Sequence, residues 1–338
     1  MKRALLTAVT ILSLMFSGCG FRSDPQLLDY SPEEAQRLTV YTSHKEEVYR
    51  PIIEEFEERT GIWVDIVTGG TGELLERLEK EKNSPEADVM FGGGVESLLS
   101  YEGCFEPYTV SGAGSIIPGL RQKNDICTPF SSLPFVIIYN TRLVGPDDIK
   151  GWADLLDERW KGRIAFADPA VSGSSYSAAM TMLTALEGDR WELLERFYIN
   201  LDSAVLEDSG DVASMVDSGA MSLGVTLEQT ALKSIAQGAR IGIIYPEEGT
   251  SILPDGSALV AGAPHRGNAL AFMEFVQSTD VQKQVVNSFF RRSVRTDVDD
   301  PEGLLPAAQI PLVEYDIEEA SSVKDEFLSR WRSFGKDG

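Results

Sequence analysis

Histidine and cysteine are scarce in this chain, which has two histidines and three cysteines among 338 residues. So few histidines leave little material for a Ser-His-Asp triad, and no CxxC or Cys/His cluster indicates structural zinc. A Walker loop is absent, and the glycines at 92–94 lack the spacing of a dinucleotide-binding fingerprint. The serines after Gly173 lack the spacing of a nucleophile elbow. We therefore expect neither an enzyme nor a bound cofactor.

Basic residues are also few, 30 against 53 acidic residues, which gives a formal net charge of −23. A field of that sign disfavours nucleic acid and anionic membrane surfaces as partners. It does not identify a ligand, because a local cluster of amide donors can bind an anion inside an acidic protein. The composition, 43% hydrophobic and 25% charged, is typical of a globular body whose length suggests two domains. We expect a monomer.

The N-terminal apolar stretch is too short to span a bilayer. It covers 4–16, well below the roughly 20 residues that a spanning helix needs, and follows the basic pair Lys2-Arg3. The small residues Ser17-Gly18 then precede Cys19, in an order that resembles a bacterial lipobox. We predict a lipoprotein signal peptide over 1–18 and lipidation of Cys19. The alternative is ordinary signal cleavage that leaves Cys19 as an odd thiol.

Two further cysteines remain once Cys19 is assigned to lipid. Cys104 and Cys127 form an even pair in a compartment where disulfides persist, so we expect a bridge between them. An unstrained bridge would stabilise the fold by roughly 3 kcal/mol. The alternative is a pair of buried thiols.

Runs rich in β-branched residues alternate with segments of helical spacing. A strand over 38–41 is followed by a helix over 45–60, which Gly61 ends, and by a second strand over 62–67. Units of this kind continue to about residue 289 and include predicted helices over 176–186 and 212–218 and a predicted strand over 259–262. The alternation predicts an α/β fold with a mostly parallel sheet and covering helices.

Small polar residues gather in four loops that each follow a predicted strand and lead into a helix. At such positions free backbone N–H groups and the helix dipole favour an anion, and hydroxyls add hydrogen bonds without bulk. The alternative is that these residues only form turns and caps. The loops are Thr42-Ser43, Gly69 to Gly72, Gly92 to Gly94 and Ser172 to Tyr176.

Motifs in a fixed order along the chain resemble periplasmic solute-binding proteins of the ferric-ion and organophosphate type. The resemblance implies a two-lobed type II binding-protein fold, with an interlobe ligand cleft and crossover hinge strands. It also implies an ABC permease and its ATPase as partners, and a periplasmic or other extracytoplasmic location. The motifs are Leu38 to Glu46, Glu55 to Gly61, Leu75 to Glu81, Ala87 to Val89, Trp160 to Ile164, Tyr245 to Thr250, Gly262 to His265, Ala271 to Phe275 and Val294 to Val298.

The same resemblance divides the chain into a tether and two lobes. We predict a polar tether over 19–36 that joins the lipid to the folded body. The first α/β lobe takes 37–134 plus about 258–300. The second lobe takes 135–257 plus about 301–338.

The predicted ligand is a small anion. Ferric-binding relatives use a tyrosine pair where this chain has Thr226 to Gln229, and their acidic ligand is replaced here by Gly92 to Gly94. If iron is bound nevertheless, His44 and Glu228 are the candidate ligands, a poor set for a hard trivalent cation. Similar members of the family that lack the tyrosine pair carry phosphorylated sugars, phosphoglycerate or phosphonates, so the resemblance implies a ligand of one of these kinds. A further alternative is a sensor lipoprotein that docks a signalling receptor.

The candidate ligand-binding residues come from these loops and from the strand that precedes Thr226. His44 could contact the ligand or cap its helix, and Glu228 could meet a ligand or a helix dipole. The arginines at 291, 292 and 295 could supply charge to a phosphate, or form a solvated face. The predicted site comprises Thr42, Ser43, His44, Gly70, Thr71, Gly93, Gly94, Ser174, Ser175, Tyr176, Thr226 and Glu228.

Overall fold

The computed structural model describes residues 32–122, 124–202 and 204–335. The predicted signal peptide, Cys19 and most of the predicted tether lie outside these ranges. The end of the predicted tether belongs to the folded body, because Asn268 Nδ2 donates to the backbone oxygens of Ala35 at 3.0 Å and Arg37 at 2.7 Å. Within the described ranges, no helix combines the length and apolar character needed to cross a membrane.

Ten strands and eleven α-helices alternate through the described ranges, joined by short 3₁₀ turns. The strands are β1 (Arg37–Thr42), β2 (Trp63–Thr68), β3 (Val89–Gly94), β4 (Thr128–Asn140), β5 (Ile164–Ala167), β6 (Val205–Leu206), β7 (Leu223–Leu227), β8 (Ile241–Ile244), β9 (Ile252–Leu259) and β10 (Arg292–Ser293). The helices are α1 (Glu46–Thr60), α2 (Thr71–Glu81), α3 (Val95–Leu99), α4 (Gly173–Ala185), α5 (Arg190–Leu201), α6 (Val212–Ser218), α7 (Glu228–Ala236), α8 (Arg266–Val276), α9 (Thr279–Asn287), α10 (Ile317–Ser322) and α11 (Lys324–Phe334).

The sheet is mixed, in the order β2-β1-β3-β9-β4-β7-β5-β6, with β8 and β10 also paired to β4. The prediction of a mostly parallel sheet is wrong: β9 runs antiparallel to both β3 and β4, and β4 runs antiparallel to β7, β8 and β10. β4 links the two halves, because 128–134 pair with β9 whereas 135–140 pair with β7 and β8. The α/β class itself is confirmed.

Helix α1 shows how the sequence pattern produces the first half of the fold. Its apolar side chains recur at helical spacing and are all buried, so one face of the helix covers the sheet. Gly61 follows at φ 71°, a left-handed conformation that glycine adopts without steric cost, and ends the helix there. Phe56 from this helix packs edge to face on Phe272 of α8, with ring centroids 5.2 Å apart.

The buried apolar side chains form two main bodies. One draws its members from 38–130 and 258–289, and a second draws its members from 135–225 and 320–331. The C-terminal helices belong to the second body: Phe327 packs edge to face on Tyr176 at 5.0 Å, and Trp331 lies 6.1 Å from Phe166. A smaller apolar cluster draws its buried side chains from β4, β5, β8, α6 and α7.

The predicted disulfide is not formed, and Cys104 and Cys127 are free buried thiols. The Cys104 thiol donates to the Glu79 carboxylate at 2.9 Å and is therefore directed at α2. Burial, reinforced by Glu79, raises the pKa of Cys104 to about 11, and burial near Glu96 raises the pKa of Cys127 to about 12. Both thiols are therefore protonated and unreactive at neutral pH.

Candidate ligand-binding cleft

A cleft of about 660 Å³ lies between the two apolar bodies. Val48 of the first body lines one side, and Phe135 and Ala178 of the second body line the other. The cleft is also lined by residues at the starts of three helices: Ser43, His44 and Lys45 before α1, Ser174 and Ser175 in α4, and Thr226, Leu227, Gln229 and Thr230 around the start of α7. The first turn of each helix has N–H groups without intrahelical acceptors, so this convergence favours an anion.

Local capping brings the serines of α4 to the cleft. Ser172 is the N-cap, and its hydroxyl accepts from the backbone N–H of Ser175 at 3.3 Å. Ser174 and Ser175 place their hydroxyl oxygens 3.1 Å and 3.0 Å from the same oxygen. The helix therefore begins at Gly173, earlier than the predicted start at Tyr176, and both serines lie in its first turn.

Three ionisable side chains meet beside the cleft. Arg291 Nη1 donates to the Asp255 carboxylate and, at 3.1 Å, to the Ser131 hydroxyl. Asp255 also accepts from the backbone N–H of Ser131 at 2.8 Å and from its hydroxyl at 2.6 Å. His44 Nδ1 lies 3.8 Å from Asp255 Oδ2. Asp255 thus holds Arg291 in place and lies close to His44, and both Arg291 and His44 line the cleft.

Two polar atoms in this group have no hydrogen-bond partner. Arg291 Nε and His44 Nε2 are buried, and each residue exposes only 8% of its surface. An unsatisfied buried polar atom costs free energy, and more so for a charged group. Both residues line the cleft, so a bound molecule can supply the missing partners. Arg291 offers a charged donor, and His44 offers a ring nitrogen.

His44 is neutral near pH 7. Burial lowers its pKa to about 4, an effect that Arg291 reinforces and the Asp255 carboxylate opposes. The ring contacts Phe91 edge to face, with centroids 4.5 Å apart, and this aromatic packing fixes its orientation. His44 can therefore serve as a neutral hydrogen-bonding group in the cleft.

His44→Asn is expected to flatten the loss of stability between pH 6.5 and pH 4. Unfolded His44 takes up a proton near its ordinary pKa of 6.5, whereas the folded side chain does so only at about 4. In this window the unfolded state binds more protons, so the wild type loses stability as pH falls. Urea unfolding at several pH values measures the effect. Parallel curves for the two proteins would contradict the assigned pKa.

The structure brings several predicted site residues together. Ser43, His44, Ser174, Ser175 and Thr226 line the cleft. Gly94, Ser174 and Tyr176 line an adjoining cavity of about 330 Å³. The Tyr176 hydroxyl donates to the backbone oxygen of Ala320, so this phenol has an internal partner.

Four other predicted residues are not part of the described lining of these cavities. Thr42 is fully buried, and its hydroxyl accepts from the backbone N–H of His44 at 3.2 Å. Gly93 has φ +89°, and a Cβ there would lie 2.6 Å from Thr71 Cγ2, so the two residues are in close contact. Gly70 caps α2 directly before Thr71. The described residues that line the two cavities do not include Thr42, Gly70, Thr71 or Gly93.

Glu228 has internal partners. It is 1% exposed, and Arg292 donates to its carboxylate from Nε at 2.9 Å and from Nη2 at 2.9 Å. Tyr245 also donates to this carboxylate. Arg292 extends the network to Asp300 at 2.8 Å and to the backbone oxygen of Leu305 at 2.8 Å. The network fixes the start of α7, whose next residues line the cleft.

The interpretation of the arginines at 291, 292 and 295 as a solvated face is wrong. Arg291 and Arg292 expose 8% and 1% of their surface, and Arg295 pairs with Asp297 at 2.7 Å. Arg291 and Asp255 are the important cleft residues that the predicted site omits. Two adjacent arginines after a helix carry no sequence signal that separates a buried pair from an exposed one.

An ion pair joins the two sides of the cleft. Lys233 of α7 donates to Glu47 of α1 at 2.5 Å, and both side chains are largely exposed. In the part of the chain that the structure covers, no group of three or more His, Cys, Asp or Glu side chains is arranged to hold a metal ion.

Comparison with known proteins identifies a family and several sequence relatives. The bacterial extracellular solute-binding protein model matches residues 38–291. A probable ABC transporter periplasmic-binding protein, y4fP of Sinorhizobium fredii, is 29% identical over 268 residues, 76% of this chain and 74% of the relative. Iron uptake protein A1 of Synechocystis is 28% identical over 82% of this chain and 81% of the relative. A putative 2-aminoethylphosphonate-binding periplasmic protein of Salmonella typhimurium is 26% identical over 74% and 75%.

Solved structures show the same fold. The periplasmic binding protein AfuA of Actinobacillus pleuropneumoniae, with fructose-6-phosphate bound, has a TM-score of 0.74 at 22% identity and covers 87% of this chain and 97% of its own. A protein described as a two-component system protein that mediates signal transduction has a TM-score of 0.75 at 26% identity, over 85% and 99%. The predicted type II binding-protein fold is confirmed. The chain belongs to the bacterial extracellular solute-binding proteins, the non-enzymatic periplasmic or extracellular components that present substrates to ABC transporters.

Proposed function

We propose that this protein is a lipid-anchored component of an ABC importer that captures a small phosphorylated or phosphonate anion between its lobes. The observation that carries the proposal is the buried Arg291 at the cleft, whose Nε has no internal acceptor. A phosphate or phosphonate oxygen is a matched acceptor for an arginine N–H, and charge-assisted hydrogen bonds of this kind are the strong ones.

The donors of the cleft support an anionic ligand. Its lining contains the basic residues Lys45, Lys233 and Arg291 and the acidic residues Glu47 and Asp208. Lys233 pairs with Glu47, and Arg291 pairs with Asp255. Three helix N-termini and several hydroxyls add donors. Together these groups can satisfy the several oxygens of one phosphate.

The same cleft is less suited to binding ferric iron. Iron prefers phenolate and carboxylate oxygens, and no tyrosine occurs among the described residues that line the cleft. Glu228, a candidate iron ligand from the sequence, is engaged by Arg292. His44 offers a ring nitrogen where a hard trivalent cation prefers oxygen, and the Arg291 guanidinium repels such a cation. Of the named relatives, one is an iron uptake protein and another a putative phosphonate-binding protein, and the donors here favour the second chemistry.

We further propose that capture follows movement of two lobes, 37–134 plus about 258–300 and 135–257 plus about 301–338. The separate apolar bodies support this division, since each packs against its own part of the sheet and its own helices. The links include β4, which pairs with different partners in its two halves. A sensor role is the alternative, supported by the likeness to the signal-transduction protein.

A thermal-shift screen tests the anion proposal. Phosphate monoesters, phosphoglycerate and alkylphosphonates are compared with ferric iron, each at high excess over the protein. A ligand at about a hundredfold excess over Kd stabilises the fold by roughly 2.7 kcal/mol, so a true ligand raises Tm clearly. Sulfate at equal ionic strength is the control for non-specific anion effects. A shift with ferric iron alone would refute the anion proposal.

The lipid anchor is tested by fractionation. We expect the full-length protein in the membrane fraction and the Cys19→Ser variant in the soluble exported fraction, because the variant lacks the lipidated thiol. Cys104→Ser is the matched control and should remain with the membrane, since its thiol is buried in the folded body. Equal distribution of Cys19→Ser and wild type would support ordinary signal cleavage instead.

A further inference from the structure

The smaller cavity is an extension of the cleft. It measures about 330 Å³, and three of its lining residues, Phe135, Ser174 and Leu227, also line the main cleft. A molecule bound at Arg291 therefore has a second chamber beside it, past Ser174. What this chamber offers to a ligand depends on the ionisable groups that line it.

Glu96 provides a hydrogen-bond acceptor without a partner in this chamber. Its Oε2 atom is buried and has no hydrogen-bond partner, whereas the other carboxylate there, Asp255, is engaged by Arg291 and Ser131. Burial raises the pKa of Glu96, and Asp255 adds to the effect, whereas the backbone N–H of Glu96 itself and Lys324 oppose it. The Lys324 ammonium lies over the Tyr176 ring, 5.4 Å from its centroid. A charged donor from a ligand would offset the cost of burying this carboxylate.

The two chambers offer different groups to a ligand. The smaller one is lined by Glu96, Asp255 and Lys324. Because Asp255 is paired with Arg291, the carboxylate oxygen left without a partner there belongs to Glu96, whereas the main cleft has the unpartnered Nε of Arg291. Hydroxyls of Ser97 and Ser177 also line it and can accept further hydrogen bonds. A ligand that spans both chambers matches this pattern when one end is anionic and the other cationic.

We propose that the smaller chamber binds a primary ammonium group of the captured anion, with Glu96 as its principal acceptor. The inference rests on the proposed capture of a phosphorylated anion and narrows it to phosphorylated amines. An uncharged polyol would also donate hydrogen bonds to Glu96, but its binding would not require the negative charge.

Calorimetric titration with matched pairs of compounds tests this site. Phosphoethanolamine is compared with ethyl phosphate, and glucosamine 6-phosphate with glucose 6-phosphate, so that the members of a pair differ mainly in the amine. In at least one pair, we expect the wild type to bind the compound that carries the amine with a Kd at least about tenfold lower than that of its amine-free partner. A charge-assisted hydrogen bond can supply a difference of this size. Glu96→Gln should remove this preference and leave the amine-free partner unchanged. Glu102→Gln, an exposed carboxylate outside the chamber, is the control and should change nothing.

The outcomes separate the two proposals. If phosphate esters bind in an Arg291-dependent manner but the amine gives no advantage, the ammonium site is wrong and the anion site stands. The ammonium site is equally wrong if Glu96→Gln leaves the preference intact. If none of the four compounds binds, the anion proposal fails and the ammonium site fails with it. If the Glu96→Gln variant does not fold, the wild type alone tests the ammonium site: a lower Kd for the compound with the amine supports the site, and equal Kd values within each pair contradict it.

Discussion

Arg291→Gln is expected to weaken binding of the phosphorylated ligand by about a hundredfold or more. The substitution removes the charged donor whose Nε faces no internal acceptor, and a charge-assisted hydrogen bond to a buried site contributes about 1.5–3 kcal/mol. It also leaves the Asp255 carboxylate without its guanidinium partner, so that a negative charge near the ligand is no longer balanced. Calorimetric titration with the ligand found by the thermal-shift screen measures the loss.

Two matched variants show whether the effect belongs to the site. Arg330→Gln removes an arginine from the exposed face of α11, where it pairs with Glu326, and should leave the affinity unchanged. Arg291→Lys keeps the charge but loses the planar fork, so we expect an intermediate affinity. A Kd for Arg291→Gln within twofold of wild type would exclude Arg291 from the binding site.

Arg292→Met is expected to lower the free energy of unfolding by about 3–5 kcal/mol, the usual cost of removing one partner from a buried ion pair. Arg292 is 1% exposed and donates to Glu228, Asp300 and the Leu305 backbone. Methionine fills much of the volume but leaves the Glu228 carboxylate buried with only the Tyr245 hydroxyl as a donor from this network. Urea unfolding followed by far-UV circular dichroism measures the change.

Arg330→Met is the matched control for this substitution. Its ion pair with Glu326 is exposed, and such pairs contribute about 0–1 kcal/mol. A similar small loss in Arg292→Met would show that the Glu228 network does not stabilise the fold. Glu228→Gln is a useful second variant, because it keeps the shape of the side chain and removes only the charge.

The local elements of the fold could be predicted because their signals are short-range. The helix over 45–60 and its end at Gly61 agree with α1, and the helix over 212–218 agrees with α6. The predicted start of α4 is too late, since Ser172 caps the helix through a hydrogen bond that a Ser/Gly-rich loop does not reveal. The strand predicted over 259–262 lies earlier, at β9, where antiparallel pairing with β3 and β4 decides its position.

The candidate site could be predicted only where it follows strand ends. Ser43, His44, Ser174, Ser175 and Thr226 reach the cleft in this way. The roles of the other predicted site residues depend on partners that are distant in sequence. Arg292 lies 64 positions from Glu228, and its guanidinium pairs with this carboxylate, so Glu228 is a buried structural residue and not a ligand contact.

The burial of Arg291 likewise depends on a distant residue. Asp255 lies 36 positions away on β9 and holds the guanidinium beside the cleft. The disulfide prediction failed for a related reason, because the Cys104 thiol meets Glu79 of α2, which the spacing of two cysteines cannot indicate.

The exposed ion pair between Glu47 and Lys233 has a consequence for how fast the solute leaves. Side chains with 49% and 40% of their surface in solvent form a pair that contributes at most about 1 kcal/mol, and salt screens it further. Such a pair can slow escape by no more than a factor of about five. In the proposed binding mode, the time for which the solute stays bound is therefore governed by the buried contacts at Arg291, and a transporter that draws the proposed lobes apart meets little resistance at this edge.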